Sequence, residues 1–213
     1  MSHAGAMTGH EGHDPTDAEL VARFRRGDRS AFATLVARHE RRVYNLAYRM
    51  LGRSEDAKDV AQEAFLSCFR HLDRFRGDSA FGTWLHRITV NACYDAMRRR
   101  PPEPVSLEGL EPSPAGDHAD RAADAVDVQR ALARVPMEFR AVLVMHDVQG
   151  MAYEEVAEAL EVPIGTVKSR LHRGRLALAR LLAGEPVTTP AASKPSTDSA
   201  EAGPALPDGP GET

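Results

Sequence analysis

Met151-Ala-Tyr-Glu-Glu-Val-Ala-Glu-Ala-Leu-Glu-Val-Pro-Ile-Gly-Thr-Val-Lys-Ser-Arg-Leu-His-Arg-Gly-Arg175 decides how the second half of the chain folds. A short helix ends near Leu160, a tight turn follows, and a second helix starts near Pro163, whose missing N–H costs nothing at a helix start. That is the pattern of a helix-turn-helix, with Val156, Ala157 and Leu160 as the packing face of the first helix. On the second helix Val167, Leu171, Gly174, Leu178 and Leu181 recur at steps of four, three, four and three and share one face. With Val167 at zero, Lys168, His172, Ser169 and Arg173 fall at roughly 100, 140, 200 and 240 degrees. They point outward, while Arg170 and Arg175 flank the buried stripe. A helix of this kind fits a DNA major groove, where Arg and Lys donate to guanine and Ser serves either strand.

Charge supports the same reading once it is counted by segment. The 213 residues carry a net charge of −4, yet residues 164–182 hold Lys168, Arg170, Arg173, Arg175 and Arg180 and no acid. Residues 17–100 hold 17 Lys+Arg against 11 Asp+Glu, residues 101–127 hold 1 against 7, and residues 184–213 hold 1 against 5. Acidic segments mask basic surfaces in the total.

Working outward, the apolar spacing of Val60, Ala64, Phe65, Cys68, Phe69 and Leu72 predicts a buried helix face, with Ser54 as its N-cap and Glu55 and Asp56 in the first turn. An earlier helix runs through Phe32, Leu35, Val36, Val43, Leu46, Ala47 and Met50 and ends at Gly52. Between residues 101 and 118 lie five prolines, two glycines and four acids, too little apolar surface for a core. With only 6% aromatic residues, the cores rest on Ala, Leu and Val. The expected fold is all-α: two small helical domains, 17–100 and 122–183, joined by an extended acidic linker (101–121), with disordered ends at 1–16 and 184–213. His3, His10 and His13 fall in the first of these ends, so no metal site is expected. Cys68 and Cys93 lack a Cys-x-x-Cys partner and read as small core residues. No apolar run approaches the ~18 residues a bilayer crossing needs, and no signal peptide is visible. The expected location is the cytoplasm, without membrane insertion.

Three further blocks remain: Asp59-Val-Ala-Gln-Glu-Ala-Phe65, Phe75-Arg-Gly-Asp-Ser-Ala-Phe81, and Thr83-Trp-Leu-His-Arg-Ile-Thr-Val-Asn-Ala-Cys-Tyr-Asp-Ala-Met-Arg-Arg-Arg100. With Gly165-Thr-Val-Lys-Ser-Arg170 they resemble bacterial RNA polymerase sigma factors of the compact extracytoplasmic-function (ECF) group, over about residues 17–183 and in the same order. The resemblance implies that the helix 54–72 grips the clamp of core RNA polymerase, with Asp59, Gln62 and Glu63 as contacts. It implies that the loop Phe75, Arg76, Gly77, Asp78, Ser79 and Ala80 captures a flipped base of the minus-ten element, helped by Asn91. Gly77 allows a tight backbone, and Asp78 and Ser79 can hydrogen-bond a base edge. Packing need places Phe75, Phe81 and Trp84 in the core ahead of a stacking role. Arg98, Arg99 and Arg100 would attract phosphate. Thr166, Lys168, Ser169, Arg170, His172, Arg173 and Arg175 would read the minus-thirty-five element, and the acidic linker would thread towards the polymerase active centre.

The implied partners are core RNA polymerase, promoter DNA as duplex and as melted strand, and an anti-sigma factor. No cofactor and no enzymatic activity are expected, since there is no phosphate loop, nucleophile motif or metal-ligand cluster. The rival is a stand-alone helix-turn-helix regulator that binds an operator as a symmetric dimer.

Overall fold

The computed structural model describes residues 14–99 and 119–185. Every regular element among them is helical, and none of these helices is long and apolar enough to cross a membrane. The linker stretch 100–118, the histidines at 3, 10 and 13, Arg100 and the tail from 186 lie outside the described residues.

The first half is built from α1 (Asp17–Arg25), α2 (Ser30–Leu51), α3 (Ser54–His71), a 3₁₀ turn (Leu72–Arg74) and α4 (Phe81–Arg99). Thr16 caps α1: its Oγ1 accepts from the Glu19 N–H at 3.3 Å, and Glu19 Oε2 accepts from the Thr16 N–H at 2.7 Å, the reciprocal box that satisfies two helix-end donors. Asp14 and Asp17 both bind Arg38, so the first domain takes in residues just ahead of its expected start. α2 ends at Gly52 in the left-handed region (φ 79°), where glycine carries no Cβ penalty.

Ser54 is not the cap of α3. Arg53 occupies that position and its side chain makes no capping hydrogen bond, and the Ser54 hydroxyl lies 3.1 Å from Tyr44 Oη. Tyr44 on the neighbouring helix takes the oxygen that would have capped the turn. The buried face of α3 is Ala57, Val60, Ala64 and Cys68, small residues that let α2 and α4 close upon it. Cys68 and Cys93 are buried and unpaired, and burial pushes both thiols up to about 12, as expected of core residues.

The second half comprises α5 (Ala119–Arg134), α6 (Met137–Leu143), a π-helical turn (Val144–Val148), α7 (Tyr153–Leu160) and α8 (Ile164–Leu182). α5 starts inside the stretch expected as linker. The turn between α7 and α8 rests on Glu161, the one non-glycine at positive φ (54°) among the described residues. Pro163 sits just outside α8, and its carbonyl accepts from the Thr166 and Val167 N–H groups at 2.8 and 3.1 Å. The buried seam of α8 is Val167, Leu171, Gly174, Ala177 and Leu181. Leu178, expected in the seam, is only half-buried, because α8 packs on both α5 and α6 and the small Ala177 suits the crossing better. Gly174 has a steric reason: a Cβ there would meet Leu143 Cγ and Cδ1 at 3.0 Å and the Phe139 carbonyl at 3.2 Å.

Apolar spacing predicts two helical halves but does not signal that they meet. One continuous cluster contains Leu46, Ala47, Met50, Val90 and Cys93 of the first half together with Ala131, Leu132, Val135 and Phe139 of the second. Periodicity shows that a face is covered, not which element covers it.

Candidate nucleic-acid interface

The loop between the 3₁₀ turn and α4 stands on packed rings. Phe75 and Phe81 are buried and Trp84 half-buried. Their centroids lie 5.9 Å (Phe75–Phe81), 5.1 Å (Phe75–Trp84) and 6.0 Å (Phe81–Trp84) apart, within the range of favourable aromatic pairs. The Phe75 ring thus supports the loop from beneath. Arg25 of α1 ties the loop down by donating to the Phe75 carbonyl and, at 3.4 Å, to that of Leu72. Above the rings Arg76, Gly77, Asp78 and Ala80 are exposed and Ser79 half-buried. Gly77 has φ 80° and open space where a Cβ would project.

A cavity of about 280 Å³ opens at this loop, lined by Arg74, Arg76, Asp78, Ser79, Trp84 and Arg87 among others. Arg74 and Arg87 escaped the sequence reading. Arg87 was legible, since it stands three residues after Trp84 and four before Asn91 on one helix. Asn91 is exposed further along α4 and does not line the cavity, nor does Ala80. Arg98 pairs with Asp95, and Arg99 lies 3.9 Å from Glu63, linking the end of α4 to α3.

On α3, Asp59, Gln62 and Glu63 are all exposed, opposite the buried face. Leu66 lies one turn further on and is 48% exposed. This apolar neighbour was also missed, although its spacing of four from Gln62 marks the same face.

On α8, Lys168, Ser169, His172 and Arg173 are exposed as their helical angles require, while Thr166 and Arg170 are half-buried. The Ser169 hydroxyl donates to the Thr166 carbonyl at 3.0 Å, and Lys168 Nζ lies 5.7 Å from the centre of the Tyr153 ring. Tyr153 in turn stacks on His146 at 4.4 Å and 20°, and His146 Nδ1 donates to the Met151 carbonyl at 2.7 Å. Arg175 is engaged twice by Asp147, at 3.0 Å from Nε and 2.6 Å from Nη2, and this hydrogen bonding raises its pKa further. The π-helical turn thus presents two consecutive side chains, His146 and Asp147, to the two helices of the helix-turn-helix, a placement that no 3.6-residue pattern encodes.

Two family models match the chain, "Sigma-70 region 2" over residues 35–101 and "Sigma-70, region 4" over residues 125–178. The ECF RNA polymerase sigma factor SigM of Mycobacterium tuberculosis is 46% identical over 171 residues, 80% of this chain and 86% of the relative. The chain belongs to the ECF RNA polymerase sigma factors. The ECF RNA polymerase sigma-E factor of Escherichia coli K12 is 37% identical, with 76% of this sigma factor and 92% of that protein aligned. Among solved structures, CnrH in complex with the cytosolic domain of CnrY superposes with a TM-score of 0.63 at 27% identity, covering 80% of this chain and 99% of that one. The Bartonella quintana sigma factor RpoE in complex with the anti-sigma factor NepR shares the fold (TM-score 0.62, 24% identity, 71% of this sigma factor and 96% of that chain). Region 2 therefore corresponds to the half that carries the loop and α3, and region 4 to the half that carries the helix-turn-helix.

Proposed function

We propose that this sigma factor docks on core RNA polymerase through the exposed face of α3, reads a minus-thirty-five element with α8, and holds a minus-ten base at the loop 75–80. It thereby directs promoter recognition and transcription initiation. The observation that carries the reading is the alignment of both halves, in order, with ECF sigma factors over most of their length. Asp59, Gln62 and Glu63 offer a polar docking face, which Leu66 extends with apolar area. Lys168, Ser169, His172 and Arg173 project where base edges would lie. The loop offers Asp78 and Ser79 to a base edge, with the arginines at positions 74, 76 and 87 for phosphate. Asn91, Arg98 and Arg99 continue along α4 as contacts for the strand that leaves the loop. Because CnrH is in complex with the cytosolic domain of CnrY and RpoE with the anti-sigma factor NepR, an anti-sigma partner is part of the proposal. So are a non-enzymatic role and a cytoplasmic site of action, beside the polymerase.

Run-off transcription with purified core polymerase on genomic promoter fragments tests the reading. Discrete transcripts that need both proteins support it; tight binding to a palindrome without polymerase supports the stand-alone regulator. Replacing Ser79 and Asn91 together by Ala should leave core-polymerase affinity unchanged and lower transcription from duplex promoters more than from pre-melted templates, because unstacking the base costs a few kcal/mol only in duplex. A parallel loss of core binding would return both residues to the fold or the docking face.

A further inference from the structure

The residues that close α1 and open α2 carry cations that the proposed sites do not use: Arg23, Arg25, Arg26 and Arg29 fall within seven positions. Arg23 is engaged locally. Its Nε and Nη2 donate to Asp28 Oδ2 at 2.9 and 2.8 Å, and hydrogen bonds from Ser30 and Arg23 hold the Asp28 carboxyl down at about 2. Among the described residues the other three have no carboxylate partner. Arg25 donates to the Leu72 and Phe75 carbonyls beneath the loop. Arg29 stands over the Phe69 ring at 5.5 Å, and Arg26 is exposed.

Packing brings these arginines to the loop. Phe24 of α1, Phe32 of α2 and Phe69 of α3 form a triangle with centroids 5.8, 5.4 and 5.1 Å apart, so the end of α1, the start of α2 and the end of α3 share one foundation. The chain leaves α3 through the 3₁₀ turn, where Arg74 is exposed and lines the loop cavity with Arg76. Arg25, Arg26 and Arg29 therefore continue the basic lining of the cavity onto α1 and α2, five cations in all against the exposed carboxylates of Asp73 and Asp78. The arrangement costs stability. α1 and α3 open with acids in their first turns, α2 has none there, and Arg26 and Arg29 sit at the positive end of this 22-residue helix, where cations are unfavourable. An anion from outside relieves that repulsion.

We propose that this arginine surface carries the phosphate backbone of the melted promoter strand on one side of the captured base. The inference rests on the base pocket proposed above and extends it. A base held at the loop has strand on both sides: Asn91, Arg98 and Arg99 along α4 receive one arm, and the arginines at 25, 26 and 29 receive the other. Guanidinium groups suit phosphate oxygens, to which they donate in pairs. Such contacts position a strand without reading its sequence. An acidic face of polymerase is the rival occupant, and the junction with the loop through Arg25 and Arg74 favours the strand.

The test is binding of holoenzyme to pre-melted promoter templates in rising salt, with full-length Arg26→Gln/Arg29→Gln beside the wild type. The melted strand is supplied complete, or cut back to the captured base from one side or from the other. On the complete strand the double variant should bind about tenfold more weakly at ~0.1 M salt, and the slope of log affinity against log salt should fall by about 1.4, roughly 0.7 for each single-strand phosphate contact. That deficit should vanish with one cut and persist with the other, while base preference at the captured position and affinity for core polymerase match the wild type. Cuts that act alike, or core affinity that falls in parallel, overturn the proposal, as does wild-type binding by the variant on the complete strand. Arg26→Lys/Arg29→Lys keeps the charge and should recover most of the lost slope; a lysine pair as weak as the glutamine pair also overturns it. Should the glutamine pair fail to fold, Arg26→Gln alone, at an exposed side chain, should show half the slope change with the same dependence on the cuts. Wild-type holoenzyme indifferent to melting of the template overturns the base-pocket reading together with this inference.

Discussion

The two DNA-facing regions are supported by opposite means. The recognition face of α8 is a helix surface: its outward residues are placed by the backbone alone, and the seam behind them fixes their direction. The loop at 75–80 has no regular backbone and borrows its shape from three rings beneath and an arginine from α1. A helix face therefore tolerates change residue by residue, whereas a propped loop fails as a unit.

The largest expected effect breaks the prop. Phe75→Ala removes a buried ring that touches both Phe81 and Trp84, and such truncations cost about 3–5 kcal/mol. Equilibrium unfolding should show that loss, and open-complex formation should fall further than the stability change explains. The test is open-complex yield, measured where the variant is still folded. Should yield simply track the folded fraction, the loop is not propped by this ring.

A second contrast lies in two histidines. His146 in the second half donates to the Met151 carbonyl, but His86 on α4 is buried with Nδ1 lacking a partner. Burial, then the charges of His39 and Arg42, lower its pKa from 6.5 to about 4. The unfolded chain binds this proton below pH 6.5 and the folded chain does not until about pH 4. The contribution is therefore full above pH 6.5 and is lost as pH falls towards 4, by up to about 3 kcal/mol. Denaturant melts at pH 7 and pH 5 should show the decline, and His86→Met should flatten it. An identical slope in His86→Met would assign the acid sensitivity elsewhere.

These contrasts also show what was legible. The helix-turn-helix could be read because period, turn and charge coincide within 25 residues, and the outward set at 168, 169, 172 and 173 stands where the angles put it. Cys68 and Cys93 were readable as core for want of any partner motif. What stayed hidden was tertiary. Ser54 lost its capping role to Tyr44, ten residues away in sequence; Arg25 reaches Phe75 across fifty; and Arg140 satisfies a carbonyl ninety positions earlier. Local spacing carries no information about partners at such separations, and a π-helical turn breaks the periodicity on which sequence reading rests.

Within the helix surface, a smaller effect separates base contacts from phosphate contacts. Arg173→Ala should cost roughly 1–3 kcal/mol and relax preference at one promoter position. Competition between promoter variants bound by holoenzyme measures this, and unchanged preference would remove Arg173 from the readout set.

The smallest effect concerns Arg175, which the sequence treats as a free flanking cation and the structure holds against Asp147. If the pair stays intact on DNA, Asp147 aims the guanidinium at a phosphate while adding a negative charge near the duplex. If Arg175 must leave Asp147 to reach the phosphate, the pair competes with binding. Exposed ion pairs are worth about 0.2–1 kcal/mol, so Asp147→Asn should change duplex affinity by no more than about fivefold. Asparagine keeps the shape and one acceptor, removes the charge, and turns the other acceptor into a donor that cannot bond the guanidinium. Because the guanidinium is half-exposed and can swing outward without desolvation, competition is the expected case. Asp147→Asn should therefore bind all sequences slightly more tightly, with a steeper salt dependence. Weaker binding with unchanged salt slope would show instead that Asp147 orients Arg175, and α8 would then share the loop's dependence on support from a distant residue.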